Sequence, residues 1–385
     1  MRFASLSASY EKTKRINSMN FTTADHRYMS EALRLAEKGR LTTDPNPAVG
    51  CVIVNDGEVV GRGWHRAAGQ PHAEPLALAE AGVRAKGATV YVTLEPCSHH
   101  GRTPPCAQAL IDAGVAEVIS AMNDPHERVN GCGHELLARA GISVRSGLME
   151  REARGLNRGF VTRNERGRPW LRVKLAISVD GFVAGADGKS QWITSAPARE
   201  DVQLWRARAS AILTGIGTVL ADDPQMNLRL PGIDRHLTRV VVDSSGRMPE
   251  NARMFGLAGP VIIAGRQHPG WERGGVEWWE LPAGGDGRVD LGVLLERLAG
   301  HEINEIQVEA GSGLCGALMS AGLVDELLVY QAPVLLGKGK PMLAMAGMEK
   351  FADRLHLELI DSRRVGPDWR FLFQPAHQPD RQTSS

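Results

Sequence analysis

The chain has 385 residues, 45 Lys plus Arg against 44 Asp plus Glu, a formal net charge of +1, and 43% hydrophobic residues. The charges are interspersed, which gives no electrostatic footprint for nucleic acid or an anionic membrane surface, and the length suits two domains that each bury a core. Five cysteines are too few for a disulfide framework and point to a reducing, cytoplasmic setting, while no apolar run reaches the length of a membrane span.

Residues 1–22 are polar and basic, lack an apolar h-region, and read as a disordered leader; a transit peptide or a translation start at Met19 are the alternatives. From Thr23, Met29, Ala32, Leu33 and Ala36 recur at helical spacing until Gly39 stops the helix. TTDPNPAVG then turns the chain into CVIVNDGEVVGRGW, a hairpin with its turn at Asp56-Gly57. Residues 71–106, PHAEPLALAEAGVRAKGATVYVTLEPCSHHGRTPPC, follow as helix, strand and loop, then open a helix that ends near Gly114. VAEVISAM reads as a strand, GHELLARAG as a helix and ISVRSGL as a short strand. This half is expected to be a sheet of about five strands with helices on both faces, with ligands beyond the strand ends.

Within 71–106, His72, Cys97 and Cys106 supply the nitrogen and thiolate ligands that zinc favours and leave a fourth position for water. Cys106 opens its helix after Pro104-Pro105, where a helix N-terminus favours a thiolate. Glu74 is close enough to His72 to move protons without binding the metal. Zinc lowers the pKa of its bound water, which can then attack an amidine-like ring carbon while Glu74 carries the proton to departing ammonia. The spacing proposes a hydrolytic deaminase with one Zn2+ per chain. His99 and His100 are rival ligands, read instead as part of a loop that covers the substrate.

Residues 147–169 carry charge and glycine with one helical pattern from Glu150 to Leu156. The domain boundary is placed close to Arg166, giving domains over 23–166 and 167–385, with a disordered tail after about residue 376. In the second half WLRVKLAIS, AILTGIG, RVVVDS, VIIAG, VEWWEL, EIQVEAG, DELLVYQAP and DWRFLF read as strands, and APAREDVQLWRARAS, LGVLLERLAG and GLCGALMSAG as helices. That alternation predicts a largely parallel sheet of about eight strands covered on both faces. The run from Gly311 to Gly316 matches G-x-G-x-x-G between a strand and a helix, where backbone N–H groups approach a pyrophosphate. The dinucleotide fingerprint wants an acid about twenty residues on, where Gln331 stands, so an anion-binding turn and a helix-packing glycine run both stay open.

TTDPNPAVGCVIV, PHAE and TLEPCSHHGRTPPC resemble the deaminase half of the RibD family of bifunctional riboflavin-biosynthesis proteins, and KLAISVDG, SQWIT, TVLADDP and VEAGSGLCGALMSAGLVDEL resemble its reductase half. The resemblance runs from about residue 24 onward. Eight residues separate Cys97 from Cys106, the longer loop of this family and not the usual Pro-Cys-x-x-Cys of cytidine deaminases. It implies an α/β chain of two domains: an N-terminal cytidine-deaminase-like three-layer sandwich, and a C-terminal domain similar to dihydrofolate reductase that uses NADPH.

The resemblance also implies zinc on His72, Cys97 and Cys106, with Glu74 as proton shuttle. It puts Ala176, Trp192, Thr218 and Asp222 against the cofactor, and Gly311, Ser312, Gly313, Leu314, Cys315, Gly316 and Ala317 around its pyrophosphate. Ser190, Arg206, Met226, Arg229 and Glu309 would line the sugar-phosphate substrate. The two arginines suit this role because a guanidinium fork matches a phosphate bidentately; solvated surface arginines are the alternative. Lys174 is a candidate to bind or polarise the sugar carbonyl, or an inert strand lysine. Asn46 and His65 are candidates to hold the pyrimidine and ribose phosphate, against a turn-forming Asn and a solvated His.

The implied reactions are deamination of 2,5-diamino-6-(5-phosphoribosylamino)pyrimidin-4(3H)-one, then NADPH reduction of the ribosyl side chain of 5-amino-6-(5-phosphoribosylamino)uracil to ribityl. Expected partners are small phosphorylated pyrimidines and further copies of the chain, as a dimer or tetramer, without nucleic acid or membrane. The alternative is a tRNA-type base deaminase with an accessory domain, against which the near-zero net charge speaks.

Overall fold

The structure, a computed structural model, describes residues 21–98, 105–126, 129–345 and 354–376. His99, His100, the tail after 376 and all of the expected leader except Phe21 and Thr22 lie outside the described residues. Those two belong to the fold. The Thr22 hydroxyl accepts the Asp25 N–H at 3.1 Å and the Asp25 carboxylate accepts the Thr22 N–H at 2.8 Å, a reciprocal cap on helix α1, Thr23–Gly39. Phe21 packs against the first core.

The chain divides between Glu165 and Arg166 into two compact units. In the first, strands β1 (Gly50–Asn55) and β2 (Glu58–Trp64) form the expected hairpin. Helix α2 (Ala73–Ala81), β3 (Thr89–Val92), α3 (Cys106–Asp112), β4 (Glu117–Ser120), α4 (Cys132–Arg139) and β5 (Ser143–Ser146) follow, closed by α5 (Glu150–Leu156) and α6 (Arg158–Arg166). The sheet order is β2-β1-β3-β4-β5, with β3, β4 and β5 parallel. Alternation along β1 and β2 puts Gly50 against α1 on one face, and Gly61 and Gly63 against α2 on the other. A Cβ at Gly61 or Gly63 would sit 2.2 or 2.1 Å from the Ala77 or Ala73 carbonyl oxygen, so α2 rides directly on the β2 backbone.

The second unit starts with β6 (Trp170–Ile177), β7 (Phe182–Gly185), α7 (Ala196–Arg206), β8 (Ala211–Gly215), α8 (Ile216–Asp222), β9 (Thr238–Asp243), β10 (Val261–Gly265) and β11 (Val276–Glu280). It ends with α9 (Leu291–Gly300), β12 (Glu305–Val308), α10 (Ser312–Ser320), β13 (Glu326–Gln331), β14 (Gly339–Pro341), β15 (Leu357–Val365) and β16 (Asp368–Pro375). The main sheet runs β11-β10-β9-β8-β12-β6-β13-β16-β15, parallel from β11 through β13. Leu171, Val173 and Leu175 of β6 face the core shared with α9 and α10, while Trp205 and Val202 of α7 cover the opposite face.

The main sheet has nine strands, not about eight, and β7 pairs with β14 in a separate ribbon. The unread strand of the main sheet, β15, is LELIDSRRV: it is exposed over most of its length, so it carries no apolar run of the kind that marks the buried strands. Helix α8 also went unread, because its first residues, Ile216 and Gly217, continue the apolar run of β8 and read as part of the strand AILTGIG. Among the described residues no helix is long and apolar enough to cross a membrane.

Candidate functional site

In the first unit the metal donors are set by helix starts. His72 is the N-cap of α2 and Cys106 the first residue of α3, while Cys97 lies in the segment after β3. The Cys106 N–H points at Cys97 Sγ, 3.3 Å away, and the Ala107 N–H donates to the Cys97 carbonyl at 3.1 Å. His72 Nδ1 is 3.3 Å from Cys106 Sγ and 3.7 Å from Cys97 Sγ, and the three donor atoms lie within 4.8 Å of one another. The hydrogen bond with Cys106 pulls the Cys97 thiol down to about 4, and the same contact drives the Cys106 thiol up. Three soft donors crowded this closely suit one tetrahedral cation.

Glu74, in the first turn of α2, is 3% exposed, and its Oε2 has no hydrogen-bond partner. Burial, aided by the charge on Cys97, pushes its carboxyl up to about 7. A buried carboxyl with one unused oxygen beside the donor set fits a group that exchanges protons with something held there.

His65 is 2% exposed, which removes the solvated alternative. Its Nδ1 lies 3.1 Å from the Pro71 carbonyl oxygen and its Nε2 3.2 Å from Asn46 Nδ2, an arrangement satisfied by a neutral ring that donates through Nδ1. Burial lowers its pKa, consistent with that form. Its ring meets the His72 ring edge to face at 5.5 Å, so the structure brings Asn46 and His65 together beside the donor set.

Sequence reasoning missed Glu95. Its wholly buried carboxylate accepts the N–H groups of Asp124 (3.1 Å), Gly131 (3.0 Å), Gly133 (2.9 Å) and His134 (3.3 Å). A Cβ on Gly133 would lie 1.9 Å from the Pro96 carbonyl oxygen, so this loop seats directly on the residue before Cys97. The available signal was a lone acid two residues before a ligand, which carries no pattern of its own.

In the second unit a cavity of about 980 Å³ opens at the carboxyl ends of β6, β8 and β12, where the strand order reverses. Lys174, Ala176, Ser190, Trp192, Arg206, Thr218, Asp222, Met226, Arg229, Glu309 and the turn from Gly311 to Leu314 all line it. Cys315, Gly316 and Ala317 do not. Cys315 is buried in the core and Gly316 packs on the Ala344 backbone, because the helix that starts at Ser312 turns those positions inward. Met226 is 3% exposed and belongs to the core beside Ile216 and Val219. Asp222 accepts Gln191 Nε2 at 3.1 Å, and Arg199 lies 4.6 Å over the exposed Trp192 ring. A Cβ added at Gly311 or Gly313 meets nothing within 4 Å, so the mouth of α10 leaves open space for a ligand to approach its backbone N–H groups.

Arg206 lines the cavity with its guanidinium engaged on three sides. Its Nε and Nη2 donate to the two Glu309 oxygens at 2.7 and 2.8 Å, and its Nη1 to the Asn227 carbonyl at 2.7 Å, so its fork is taken by the protein. Arg229 instead donates from Nη1 to Asn227 Oδ1 at 2.7 Å and has no carboxylate partner among the described residues. Asn227, unread in the sequence, thus orients both. Burial pushes the Glu309 carboxyl up, but Arg206, Lys174 and Gln307 together outweigh it and hold Glu309 at about 2. Burial lowers the Lys174 pKa, opposed by Glu309 and reinforced by Arg206.

The sequence profile of the RibD C-terminal domain matches residues 169–371, and that of the cytidine and deoxycytidylate deaminase zinc-binding region matches residues 22–122. The riboflavin biosynthesis protein RibD of Escherichia coli is 50% identical over 357 residues, covering 89% of this chain and 97% of that one. The structure of Acinetobacter baumannii RibD aligns with a TM-score of 0.85 at 42% identity over 92% of this chain and 99% of the other. A Thermotoga maritima diaminohydroxyphosphoribosylaminopyrimidine deaminase/5-amino-6-(5-phosphoribosylamino)uracil reductase aligns at 0.83 and 30% identity, over 91% and 99%. Both expected architectures, the deaminase-like and the reductase domain, hold, and the two domains imply Zn2+ and NADPH as cofactors. The chain belongs to the RibD family, the bifunctional deaminase and reductase enzymes of riboflavin biosynthesis.

Proposed function

We propose that the first unit deaminates 2,5-diamino-6-(5-phosphoribosylamino)pyrimidin-4(3H)-one and the second reduces the ribosyl chain of 5-amino-6-(5-phosphoribosylamino)uracil to ribityl. The observation that carries the first step is the buried Glu74 carboxyl, one oxygen unpartnered, beside three converging donors. His72, Cys97 and Cys106 would hold zinc, which supplies Lewis acidity and a water of lowered pKa. Glu74 would take a proton from the water and give it to the ring nitrogen as the oxygen adds to the ring carbon, then take the proton of the new hydroxyl and give it to the amine, which leaves as ammonia while the carbonyl forms. Asn46 and His65, tied to each other beside His72, would orient the pyrimidine and its ribose phosphate.

In the second unit the open turn from Gly311 to Leu314 would receive the pyrophosphate of NADPH, which supplies the hydride. Ala176, Thr218, Asp222 and the exposed Trp192 would border the nicotinamide half, and Ser190 the substrate. Arg229 would offer its remaining donors to the substrate phosphate, while Lys174 in the cavity lining polarises the sugar carbonyl. Glu309 and Arg206 neutralise each other and fix the wall against which Lys174 stands.

We further infer a cytoplasmic homo-oligomer without nucleic-acid partners, supported by five free cysteines, a net charge of +1 and an apolar sheet edge. The test is a coupled assay of ammonia and NADPH absorbance with Glu74→Gln: ammonia release from the diaminopyrimidine falls at least 100-fold, while bound zinc and NADPH oxidation on the deaminated substrate persist. Ammonia release at the parent rate would remove Glu74 from the mechanism.

A further inference from the structure

Arg206 and Arg229 both line the cavity, yet their settings differ. Arg206 meets the Glu309 carboxylate, whereas the Arg229 guanidinium is bonded, among the described residues, only to the neutral amide of Asn227, whose Oδ1 accepts Nη1 at 2.7 Å. That leaves the Nε–Nη2 edge of Arg229 for a bidentate acceptor, with no carboxylate to cancel its charge.

The local sequence explains the placement. In Met226-Asn227-Leu228-Arg229 the apolar residues alternate with polar ones: Met226 belongs to the core with Ile216 and Val219, and Leu228 packs against it, so Asn227 and Arg229 are turned away. Met226 has φ 50°, a left-handed conformation that a non-glycine residue keeps only where its surroundings over-determine it.

Helix α7 supplies that restraint. Arg199, Gln203 and Arg206 recur at i, i+4 and i+7, so one stripe of the helix lies on the cavity wall, while Val202 and Trp205 cover the sheet. From that stripe Gln203 Oε1 accepts the Arg229 backbone N–H at 2.9 Å, and Arg206 Nη1 donates to the Asn227 carbonyl at 2.7 Å. The segment is therefore tied to α7 on both sides of Leu228. Gln203 is 8% exposed, so its oxygen is given to the chain and not to solvent. Asn227 is not among the residues that line the cavity, and it reaches a ligand only through Arg229.

We propose that Gln203 and Asn227 are positioning residues that hold Arg229 as a preformed phosphate clamp, Gln203 fixing its backbone and Asn227 its guanidinium through a partner without charge. This rests on the reading of Arg229 as a contact of the substrate phosphate. An aspartate at 227 would keep the hydrogen bond but cancel the charge that the phosphate meets.

The test uses the full-length protein and compares kcat/KM for 5-amino-6-(5-phosphoribosylamino)uracil with that for the same compound lacking its phosphate. Competitive inhibition by inorganic phosphate is measured beside it at saturating NADPH, and circular dichroism verifies folding. Asn227→Asp should lower the preference for the phosphorylated compound about tenfold or more, as for the loss of one charge-assisted hydrogen bond, and weaken inhibition by phosphate by the same factor. Gln203→Met removes the acceptor of the Arg229 N–H and should lower the preference at least about fivefold, through KM and not kcat, because the ligand must then order the clamp. A purely structural Asn227 predicts no change in Asn227→Asp, where the hydrogen bond survives. A parent-like preference in either variant overturns the positioning and leaves Arg229 as the phosphate contact. A parent-like preference in Arg229→Ala, or a parent chain that does not distinguish the two compounds, overturns both.

Discussion

The carboxylate of Glu309 offers the most quantitative test of the second site. It is held at about 2 against an ordinary 4.5, and its side chain is only 18% exposed, so the charge effect is little screened. A displacement of that size corresponds to about 3 kcal/mol of folding stability at neutral pH, in line with the roughly 3–5 kcal/mol lost when one partner of a buried pair is removed. Glu309→Gln keeps the shape but leaves the Arg206 fork and Lys174 facing a neutral amide.

A depressed carboxylate contributes stability that is fully present above its ordinary pKa and is lost as pH falls through its folded value. The gap between parent and variant should therefore be about 3 kcal/mol at pH 7, begin to shrink below about pH 4.5, and fall to less than half by about pH 3. Seven of the eight tryptophans lie beyond residue 166, so tryptophan fluorescence in urea reports almost entirely on the second unit. A gap below about 1 kcal/mol at pH 7, or one that does not change between pH 7 and pH 3, would refute the ion-pair reasoning.

Arg229→Ala should raise KM for the phosphorylated substrate about tenfold or more, the worth of one charge-assisted hydrogen bond, with KM for NADPH unchanged; a rise in the NADPH KM instead would reverse the division of the cavity. Removing metal with a chelator should abolish ammonia release and leave reduction of the deaminated substrate intact, with Zn2+ restoring the first activity; simultaneous loss of both would deny the units their independence. Gly133→Ala forces a methyl group into the Pro96 carbonyl, 1.9 Å away, and should lower zinc affinity at least tenfold in competition with a chromophoric chelator without affecting reduction. Parent-like zinc affinity would show that this loop does not position Cys97.

The donor set was legible because its signal is local chemistry: a histidine and two cysteines, each next to a helix or strand pattern a few residues long. The five strands of the first sheet and most of the second were legible for the same reason, since strands buried on both faces read as short apolar runs and helices impose a period of 3.6 on neighbouring residues. What the chain alone could not determine was partner choice. Arg206 reads as a phosphate fork until folding brings Glu309, 103 residues away, onto its Nε–Nη2 edge and the Asn227 carbonyl onto Nη1. His65 reads equally as a substrate contact or a solvated residue until Pro71 and Asn46 close around it, and Cys315 reads as part of a glycine turn until the helix rotates it into the core. The order of strands across the sheet, which no local pattern encodes, decided that β15 is an edge and that the carboxyl ends of β6, β8 and β12 meet at one cavity, lined by both Arg206 and Arg229. Donor chemistry and periodicity are properties of neighbours in sequence, whereas the pairing of buried charges depends on neighbours in space.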